Sequence, residues 1–301
     1  MCGHLIFPFI IGIIINNSLS FFLCLDYNNN RLVMKMEKYN VKFKKKLGQN
    51  FLKDKRVVKR IVDCTNISAN SLVIEVGPGG AILTRELALI SKNVLAYEID
   101  NDLEEELYKK LDGFTNVDII FQDFLSADIS SDIKNYKYDN LYFVSNVPYY
   151  ITTPIILKLI DSGIHFDNIV MMVQKEVGDR FCSLPGSREY GSISVLLNYY
   201  YDIKKEFFVS KKEFIPEPKV DSVVVSFKEK ENKLKVKNQD FFETIVRDSF
   251  QFKRKNIKNN LKKYDLNIVE KVLNKYGYDL NIRAESLDVC VFVELSNLLW
   301  K

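Results

Sequence analysis

The stretch Leu72-Val73-Ile74-Glu75-Val76-Gly77-Pro78-Gly79-Gly80 predicts a short apolar strand that ends directly in a glycine-rich loop. Four further apolar runs also end in polar residues, and segments with apolar residues at helical spacing separate them. Those runs are Val94–Ile99, Val117–Phe121, Leu141–Val144 and Ile169–Val173. Short apolar strands that alternate with helices predict a parallel α/β sheet. Ligands bind at the carboxyl ends of such strands, so the polar residues there mark the expected site.

The glycine loop and two acidic residues predict a site for a nucleoside. Gly77 and Gly79 allow a positive φ and a close approach of the backbone to a ligand. Glu98 ends the second strand, where it can accept both hydroxyls of a ribose, and Asp123 after the third strand can accept from an adenine amino group. The dinucleotide spacing would need glycine where Ile82 stands, so a dehydrogenase is disfavoured. Taken singly, these residues could equally be a plain turn, an exposed strand end and a helix N-cap.

The fourth apolar run leads into Ser145-Asn146-Val147-Pro148-Tyr149-Tyr150, which indicates a reaction as well as binding. The candidate catalytic residues are Asn146, Pro148 and Tyr149. An amino group on a planar base becomes a nucleophile when acceptors hold its hydrogens and its ring is stacked, and base-modifying enzymes hold the ring in such a pocket. The element therefore predicts methyl transfer to a base nitrogen. The simpler alternative is a turn with buried tyrosines.

The composition is typical of a soluble globular enzyme in reducing surroundings. The chain has 301 residues, of which 47% are hydrophobic and 27% charged, and its net charge is +4. This mild positive charge is a weak indication of a polyanionic partner. The five cysteines are scattered without a C-x-x-C pair, so neither a disulfide framework nor a metal site is predicted, and we expect a cytoplasmic location.

Residues 1–35 form an apolar extension that we expect to be absent from the working protein. The runs Leu5–Ile15 and Leu19–Leu25 are each shorter than the ~20 residues that span a bilayer. No Lys or Arg precedes the first run, unlike in a signal peptide. We therefore expect translation to start at Met34 or Met36 and no stable membrane partner, with a weak membrane anchor as the alternative.

The segment Lys46–Leu52, with the sequence KLGQNFL, resembles an N-terminal motif of the ribosomal RNA adenine dimethyltransferases. The glycine loop, the two acids and the Asn-x-Pro-Tyr element then follow in that family's order. Five further segments resemble the bacterial small-subunit (16S) members, the kasugamycin-sensitivity type. They are Thr152–Pro154, Met172–Val177, Tyr190–Val195, Phe214–Ser222 and Phe250–Leu261. The resemblance covers about Lys42 to Leu298.

This resemblance implies an activity, a cofactor and a partner. The enzyme would transfer methyl groups from S-adenosylmethionine to N6 of two adjacent adenines in a loop near the 3′ end of 16S rRNA. It would act as a monomer on the 30S particle, with a role in small-subunit biogenesis. The implied architecture is a Rossmann-like methyltransferase sheet over residues 36–230 and a small helical RNA-binding domain over residues 231–301.

The resemblance also assigns residues to the cofactor. Those at matching positions are Asn50, Leu52, Gly77, Gly79, Glu98, Asp123 and Asn146. Asn146 would bridge the cofactor and the target base. Two positions depart from the family's pattern: Ala81 stands at the last glycine of Gly-Pro-Gly-x-Gly, and Val147 replaces the usual leucine. We expect Ala81 to cause modest crowding and to leave cofactor binding intact.

Clusters of positive charge predict contacts with RNA phosphates. The C-terminal cluster consists of Lys253, Arg254, Lys255, Lys258, Lys262 and Lys263, of which the first four are assigned to RNA binding, and lysines at 42 and 44–46 precede the residues Gln-Asn-Phe-Leu. Such runs are usually solvated faces. Here they flank a base-modifying pocket, so we expect RNA binding that weakens with salt. Phe214 is assigned to clamping the target base, with a place in the core as an equally good alternative.

Two other functions remain open. A large-subunit (23S) rRNA adenine methylase that confers macrolide resistance shares the first motifs, and only the downstream segments favour the small subunit. A non-catalytic RNA-binding assembly factor would be indicated by a damaged glycine loop or Asn-x-Pro-Tyr element. Both elements look usable in this chain.

Overall fold

The computed structural model describes residues 50–300 in full and, for the backbone alone, three short strands before them. These strands are β1 (Ile11–Ile14), β2 (Ser20–Asp26) and β3 (Arg31–Met36), and they pair antiparallel in that order. The predicted phosphate-contacting lysines at 42 and 44–46 lie outside the described residues, as does most of the KLGQNFL motif. Among the residues that are described, no helix has the length and apolar character needed to cross a bilayer. The start of translation and the role of residues 1–35 stay predictions.

A seven-stranded sheet forms the centre of the fold. The remaining strands are β4 (Phe51–Leu52), β5 (Ser71–Val76), β6 (Asn93–Glu98), β7 (Val117–Phe121), β8 (Asn140–Asn146), β9 (Asn168–Gln174), β10 (Tyr201–Val209), β11 (Phe214–Ile215) and β12 (Ser222–Glu229). The spatial order is β10-β12-β9-β8-β5-β6-β7. Strands β5 to β9 are parallel, and β12 runs antiparallel to both of its neighbours. The predicted Rossmann-like α/β sheet is confirmed.

Helices cover both faces of this sheet, and four more follow it in the chain. Those before the end of the sheet are α1 (Lys55–Asp63), α2 (Ile82–Ile90), α3 (Glu104–Lys110), α4 (Ile129–Asp132), α5 (Thr152–Asp161), α6 (Lys175–Phe181) and α7 (Ser192–Tyr200). The C-terminal helices are α8 (Gln239–Ser249), α9 (Ile257–Asn260), α10 (Leu266–Lys275) and α11 (Val289–Leu299). Along β9, Met171 packs in one core cluster, and its neighbours Val170 and Met172 pack in the cluster on the opposite face. Successive strand residues point to opposite faces, so a strand covered on both sides needs a continuous apolar run.

The C-terminal helices enclose a core of their own. Phe242, Ile245 and Phe292 are fully buried there. This core also takes Val195 and Tyr199 from α7, which precedes the last two strands of the sheet. The predicted helical C-terminal region is confirmed. The boundary between residues 230 and 231 stays a prediction.

A two-stranded sheet ties the N-terminal motif to a distant loop. Strand β4 pairs antiparallel with β11, so that Leu52 lies opposite Phe214. The main-chain N–H of Lys53 donates to the carbonyl of Glu213 at 3.0 Å. This pairing holds Asn50, which directly precedes β4, beside the carboxyl end of the large sheet.

Candidate active site

A cavity of about 340 Å³ opens at the carboxyl ends of β5, β6, β7 and β8. All seven residues that the sequence assigns to the cofactor line it, together with Pro148 and Tyr149. Further lining residues include Phe51, Glu75, Ile99, Gln122, Leu125 and Tyr150. Residues far apart in the chain, such as Asn50 and Asn146 at a separation of 96 positions, therefore meet at one edge of the sheet, as expected for the carboxyl ends of parallel strands.

The glycine loop forms the wall of this cavity next to β5. Gly77 has φ +74° and Gly79 has φ +47°, and left-handed backbone of this kind favours glycine. A Cβ on Gly79 would lie 2.6 Å from Cε1 of Phe51, which packs over the loop. Glycine at position 79 is therefore required twice, by its backbone angle and by the aromatic ring above it.

Glu98 is buried at the end of β6, with 4% of its surface exposed. Its Oε2 accepts from the main-chain N–H of Gly79 at 3.3 Å, and its Oε1 accepts from that of Asp100 at 3.0 Å. Burial raises the pKa of this carboxyl, and the hydrogen bonds from the main-chain N–H groups act in the opposite direction. These contacts hold the carboxylate in place in the lining of the cavity.

Glu75 is a lining residue that the sequence analysis did not assign. It is 1% exposed, and its Oε2 has no hydrogen-bond partner among the described residues. Burial raises the pKa of its carboxyl to about 8. The carboxyl is therefore protonated and neutral at neutral pH, and a cationic ligand group beside it would favour its ionised form. The signal for it was present, since a glutamate in an otherwise apolar strand is costly to bury.

Asp123 is the N-cap that the sequence offered as an alternative, and it also lies at the cavity, so its predicted contact with adenine stays a prediction. Its Oδ1 accepts from the main-chain N–H of Leu125 at 2.9 Å and so caps a short 3₁₀ turn over Phe124–Ser126. The residue also lines the cavity. A carboxylate has about four acceptor sites, so the cap leaves capacity for a ligand donor.

Asn146 is oriented by the N-terminal motif. Its Nδ2 donates to the main-chain carbonyl of Asn50 at 3.4 Å. The preceding Ser145 is fully buried, and its Oγ donates to the carbonyl of Val76 at 2.6 Å, which ties the end of β8 to the end of β5. Because the amino group of Asn146 donates to Asn50, the side-chain oxygen is the atom that can accept a hydrogen bond from a ligand.

Two tyrosines follow at the mouth of the cavity. Tyr149 begins a 3₁₀ turn over Tyr149–Ile151, and its hydroxyl forms a 2.6 Å hydrogen bond with Ser222. Burial is the main cause that raises the pKa of Tyr149, so the phenol keeps its proton at neutral pH. Tyr150 is 54% exposed and was not assigned from the sequence. Together the tyrosines offer one fixed ring and one accessible ring.

Ala81 departs from the family's glycine pattern without reaching the cavity. It has φ +57° and is fully buried against Leu103, Leu107 and Leu111. It does not line the cavity. The methyl group of Ala81 therefore packs in the core beside α3, where any crowding would fall, and not in the cavity.

Phe214 occupies the core, which favours the alternative to its assignment as a clamp on the base. It is 2% exposed and packs in the cluster that contains Leu52, Val57 and Val209. It does not line the cavity. The ring was misassigned because a Phe before a Pro-rich loop gives no local signal of which way it points.

The assigned basic residues lie apart from the cavity lining, in and just after the loop between α8 and α9. Lys253, Arg254, Lys255 and Lys258 are all exposed. The loop's backbone is held by the buried Asn260, whose Nδ2 donates to the carbonyl of Ser249 at 2.7 Å. Its Oδ1 accepts from the main-chain N–H of Phe252 at 3.1 Å. Over the described part of the chain, no group of three or more His, Cys, Asp or Glu could hold a metal ion.

Comparison with known proteins gives the family. Residues 40–301 match the family model described as ribosomal RNA adenine dimethylase. A curated relative from Bacillus pumilus, the ribosomal RNA small subunit methyltransferase A, is 41% identical over 88% of this chain and 94% of its own length. The protein of that name from Macrococcus caseolyticus is 38% identical over 92% of this chain and 98% of its own length.

Solved structures support the fold. A dimethyladenosine transferase from Plasmodium falciparum superposes with a TM-score of 0.67, at 24% identity over 81% of this chain and 95% of its own. The 23S rRNA methyltransferase ErmE gives a TM-score of 0.65, at 26% identity over 84% of this chain and all of its own. The sheet order, the site at its carboxyl edge and these matches lead to one conclusion: this chain belongs to the ribosomal RNA adenine dimethylase family and is an rRNA adenine dimethyltransferase.

Proposed function

We propose that this enzyme transfers methyl groups from S-adenosylmethionine to N6 of two adjacent adenines of 16S rRNA in the 30S particle. The observation that carries the proposal is the cavity itself. It brings an amide acceptor and an aromatic ring, Asn146 and Tyr149, next to the acids Glu98 and Asp123. The small-subunit names of the curated relatives support this substrate over 23S rRNA.

The residues present are suited to S-adenosylmethionine. Asp123 and Glu98 provide acceptors for an adenine amino group and for ribose hydroxyls, and the left-handed loop at Gly77 and Gly79 gives a wall without side chains. Glu75, with its pKa raised to about 8, is protonated at neutral pH, and a cationic ligand beside it would favour its ionised form. Asn50 and Leu52 would close the cavity from the other side. When bound, this cofactor supplies an electrophilic methyl group.

Asn146 would activate the target amine. The lone pair of adenine N6 is delocalised into the ring, so the amine is a poor nucleophile. The Asn146 oxygen and a nearby main-chain carbonyl would accept the two N6 hydrogens and localise the lone pair as the nitrogen becomes pyramidal. Acceptors fixed in advance stabilise that state more than the flat ground state. The hydrogen bond from Asn146 to Asn50 is what fixes the acceptor.

Tyr149 would hold the base in line for the transfer. Its ring supplies the stacking face, and correct positioning accounts for much of the rate in such reactions. Its phenol is protonated at neutral pH and is therefore not a general base. None is needed, because the methylated nitrogen becomes acidic and loses its proton to water.

The basic loop would dock the RNA. Lys253, Arg254, Lys255 and Lys258 are exposed, and Lys253 also donates to the carbonyl of Arg188 at 3.4 Å. They would contact phosphates, and binding of this kind weakens steeply with salt. The target is a loop of folded RNA, read by its shape and its unstacked base. We further propose that the enzyme works as a monomer in the cytoplasm, where its substrate particles are assembled.

The test is the transfer of labelled methyl groups from S-adenosylmethionine to purified, unmethylated 30S particles, with 50S particles as the comparison. We expect label in the RNA of the 30S particles alone. Label only in 50S RNA would move the enzyme to the large-subunit methylases. RNA binding without label in either particle would favour an assembly factor that has lost catalysis.

A further inference from the structure

Tyr149 is held on a weak structural element. It begins a 3₁₀ turn of three residues, and its backbone neighbourhood is fixed by two bonds: Ile151 N–H donates to the carbonyl of Pro148 at 3.1 Å, and Thr152 Oγ1 donates to that of Tyr149 at 3.2 Å. Neither bond restrains the aromatic ring. Such short turns have poor hydrogen-bond geometry, so the orientation of the ring needs a separate support.

The phenol of Tyr149 reaches that support on a different part of the chain. Its hydroxyl lies 2.6 Å from Oγ of Ser222, which is 73 positions away in sequence and fully buried. Ser222 is the first residue of β12, and it pairs with Val209 of β10 on one side and Gln174 of β9 on the other. The hydroxyl therefore projects from a strand that is held along both edges.

The residue before Ser222 is held just as firmly. The carbonyl of Asp221 accepts from the main-chain N–H of Lys175 at 2.9 Å. The Asp221 carboxylate accepts from the main-chain N–H of Lys211 at 2.9 Å, in the turn that leads into β11. Because β11 pairs with β4, the same dipeptide braces the segment that presents Asn50 to Asn146. Both halves of the base site thus depend on the start of β12.

We propose that Ser222 is a positioning residue for methyl transfer, whose hydroxyl fixes the Tyr149 ring against which the target base stacks. This inference rests on the proposed function. Ser222 does not line the cavity, so it acts through Tyr149 and makes no contact with the base. A rigid partner for the phenol keeps the ring in a single orientation, and small misplacements of a substrate-holding group are costly in rate.

The experiment measures kcat and KM of Ser222→Ala, Tyr149→Phe and the double variant on unmethylated 30S particles. We expect Ser222→Ala to lower kcat about tenfold while KM for S-adenosylmethionine stays within about twofold, since the cofactor residues are untouched. Tyr149→Phe keeps the ring and removes the same bond, so it should show a similar loss. The double variant should be no slower than either single variant, because both remove one interaction.

Ser226→Ala is the matched control. Ser226 lies on the same strand, is 9% exposed and donates to Glu206 at 2.7 Å. Ser226→Ala therefore shows how much kcat changes when β12 loses a buried serine hydroxyl that does not contact Tyr149. It should leave kcat unchanged. If Ser222→Ala does not fold, Tyr149→Phe decides, and an unchanged kcat overturns the inference.

Two failures can be told apart. If the wild type transfers no methyl group, the proposed function fails and this inference fails with it. If the wild type is active and Ser222→Ala keeps kcat within about twofold, or if the two single losses multiply in the double variant, the inference alone is wrong.

Discussion

The cavity and the basic loop are built in opposite ways. In the cavity, Glu98 and Asn146 are held by main-chain groups of distant segments, and Tyr149 by a buried serine. In the loop, the cations of Lys253 and Arg254 are exposed, and a buried asparagine fixes the backbone that carries them. The Lys253 side chain makes one long hydrogen bond, to the carbonyl of Arg188 at 3.4 Å. Chemistry depends on the position of each atom, whereas docking on phosphates depends on charge nearby. The contrast teaches that side chains whose position sets the rate are held by buried hydrogen bonds, whereas side chains that supply charge stay exposed.

Glu75→Gln offers the largest test of the cavity's electrostatics. Burial raises the pKa of Glu75 from its ordinary 4.5 to about 8. Between these values the unfolded chain has lost the proton and the folded chain keeps it, so wild-type stability falls as pH rises through this window. Gln does not titrate. Below pH 4.5 the free energies of unfolding of the variant and the wild type should be about equal. At pH 8.5 the variant should be more stable than the wild type by roughly 2–4 kcal/mol.

Urea unfolding at pH 4.5, 6.5 and 8.5 measures this gain. The control is Glu270→Gln, which removes an exposed carboxylate from α10. A difference between Glu75→Gln and wild type that is the same at all three pH values would show that the cavity does not hold a protonated carboxyl.

Replacing Lys253, Arg254 and Lys255 by alanine tests the loop. We expect RNA affinity at low salt to fall roughly tenfold to a hundredfold, and the slope of log affinity against log salt to flatten by about 2–3. The kcat at saturating particles should stay near wild type, because none of these residues lines the cavity. Filter binding across a salt series gives both quantities.

The matched control for the loop removes the same charge elsewhere. Lys109, Lys134 and Lys137 are exposed and lie outside the loop and the cavity lining. If their replacement by alanine flattened the salt dependence as much, net charge would explain the effect and the loop would lose its docking role.

Ala81→Gly should have the smallest effect. Glycine relieves the left-handed strain at φ +57°, worth about 1 kcal/mol. It also removes a buried methyl group, at a similar cost. We expect unfolding free energies within about 1 kcal/mol of wild type and unchanged S-adenosylmethionine affinity by calorimetry. A clear gain in affinity would mean that the alanine methyl constrains the cavity after all.

The sheet and most of the cavity could be predicted because their signals are local. Glu98, Asp123 and Asn146 each lie within two residues of the end of an apolar run, and parallel strands bring such ends to one edge. The departure at Ala81 was also visible, although the direction of its methyl group was not. The burial of β9 on both faces is consistent with its continuous apolar run.

The supports of the site could not be predicted, because they are long-range. Ser222 lies 73 positions from Tyr149, and nothing in the sequence near it indicates that its hydroxyl turns to that ring. Phe214 was assigned to the base, yet it packs in the core. Glu75 stood in the quoted motif, but its unpartnered oxygen is visible only once the strand is enclosed.

The most direct test of the account is methyl transfer by Asn146→Ala, with the nucleosides of 16S rRNA resolved by mass. Asn116→Ala is the control, since Asn116 donates to the carbonyls of Ala88 and Ser91 away from the cavity. The account predicts dimethyladenosine at two adjacent adenines with wild type and Asn116→Ala. With Asn146→Ala it predicts kcat lower by about 10³-fold and RNA affinity unchanged. Near-normal turnover by Asn146→Ala, or methyl groups on a base other than adenine, would contradict it.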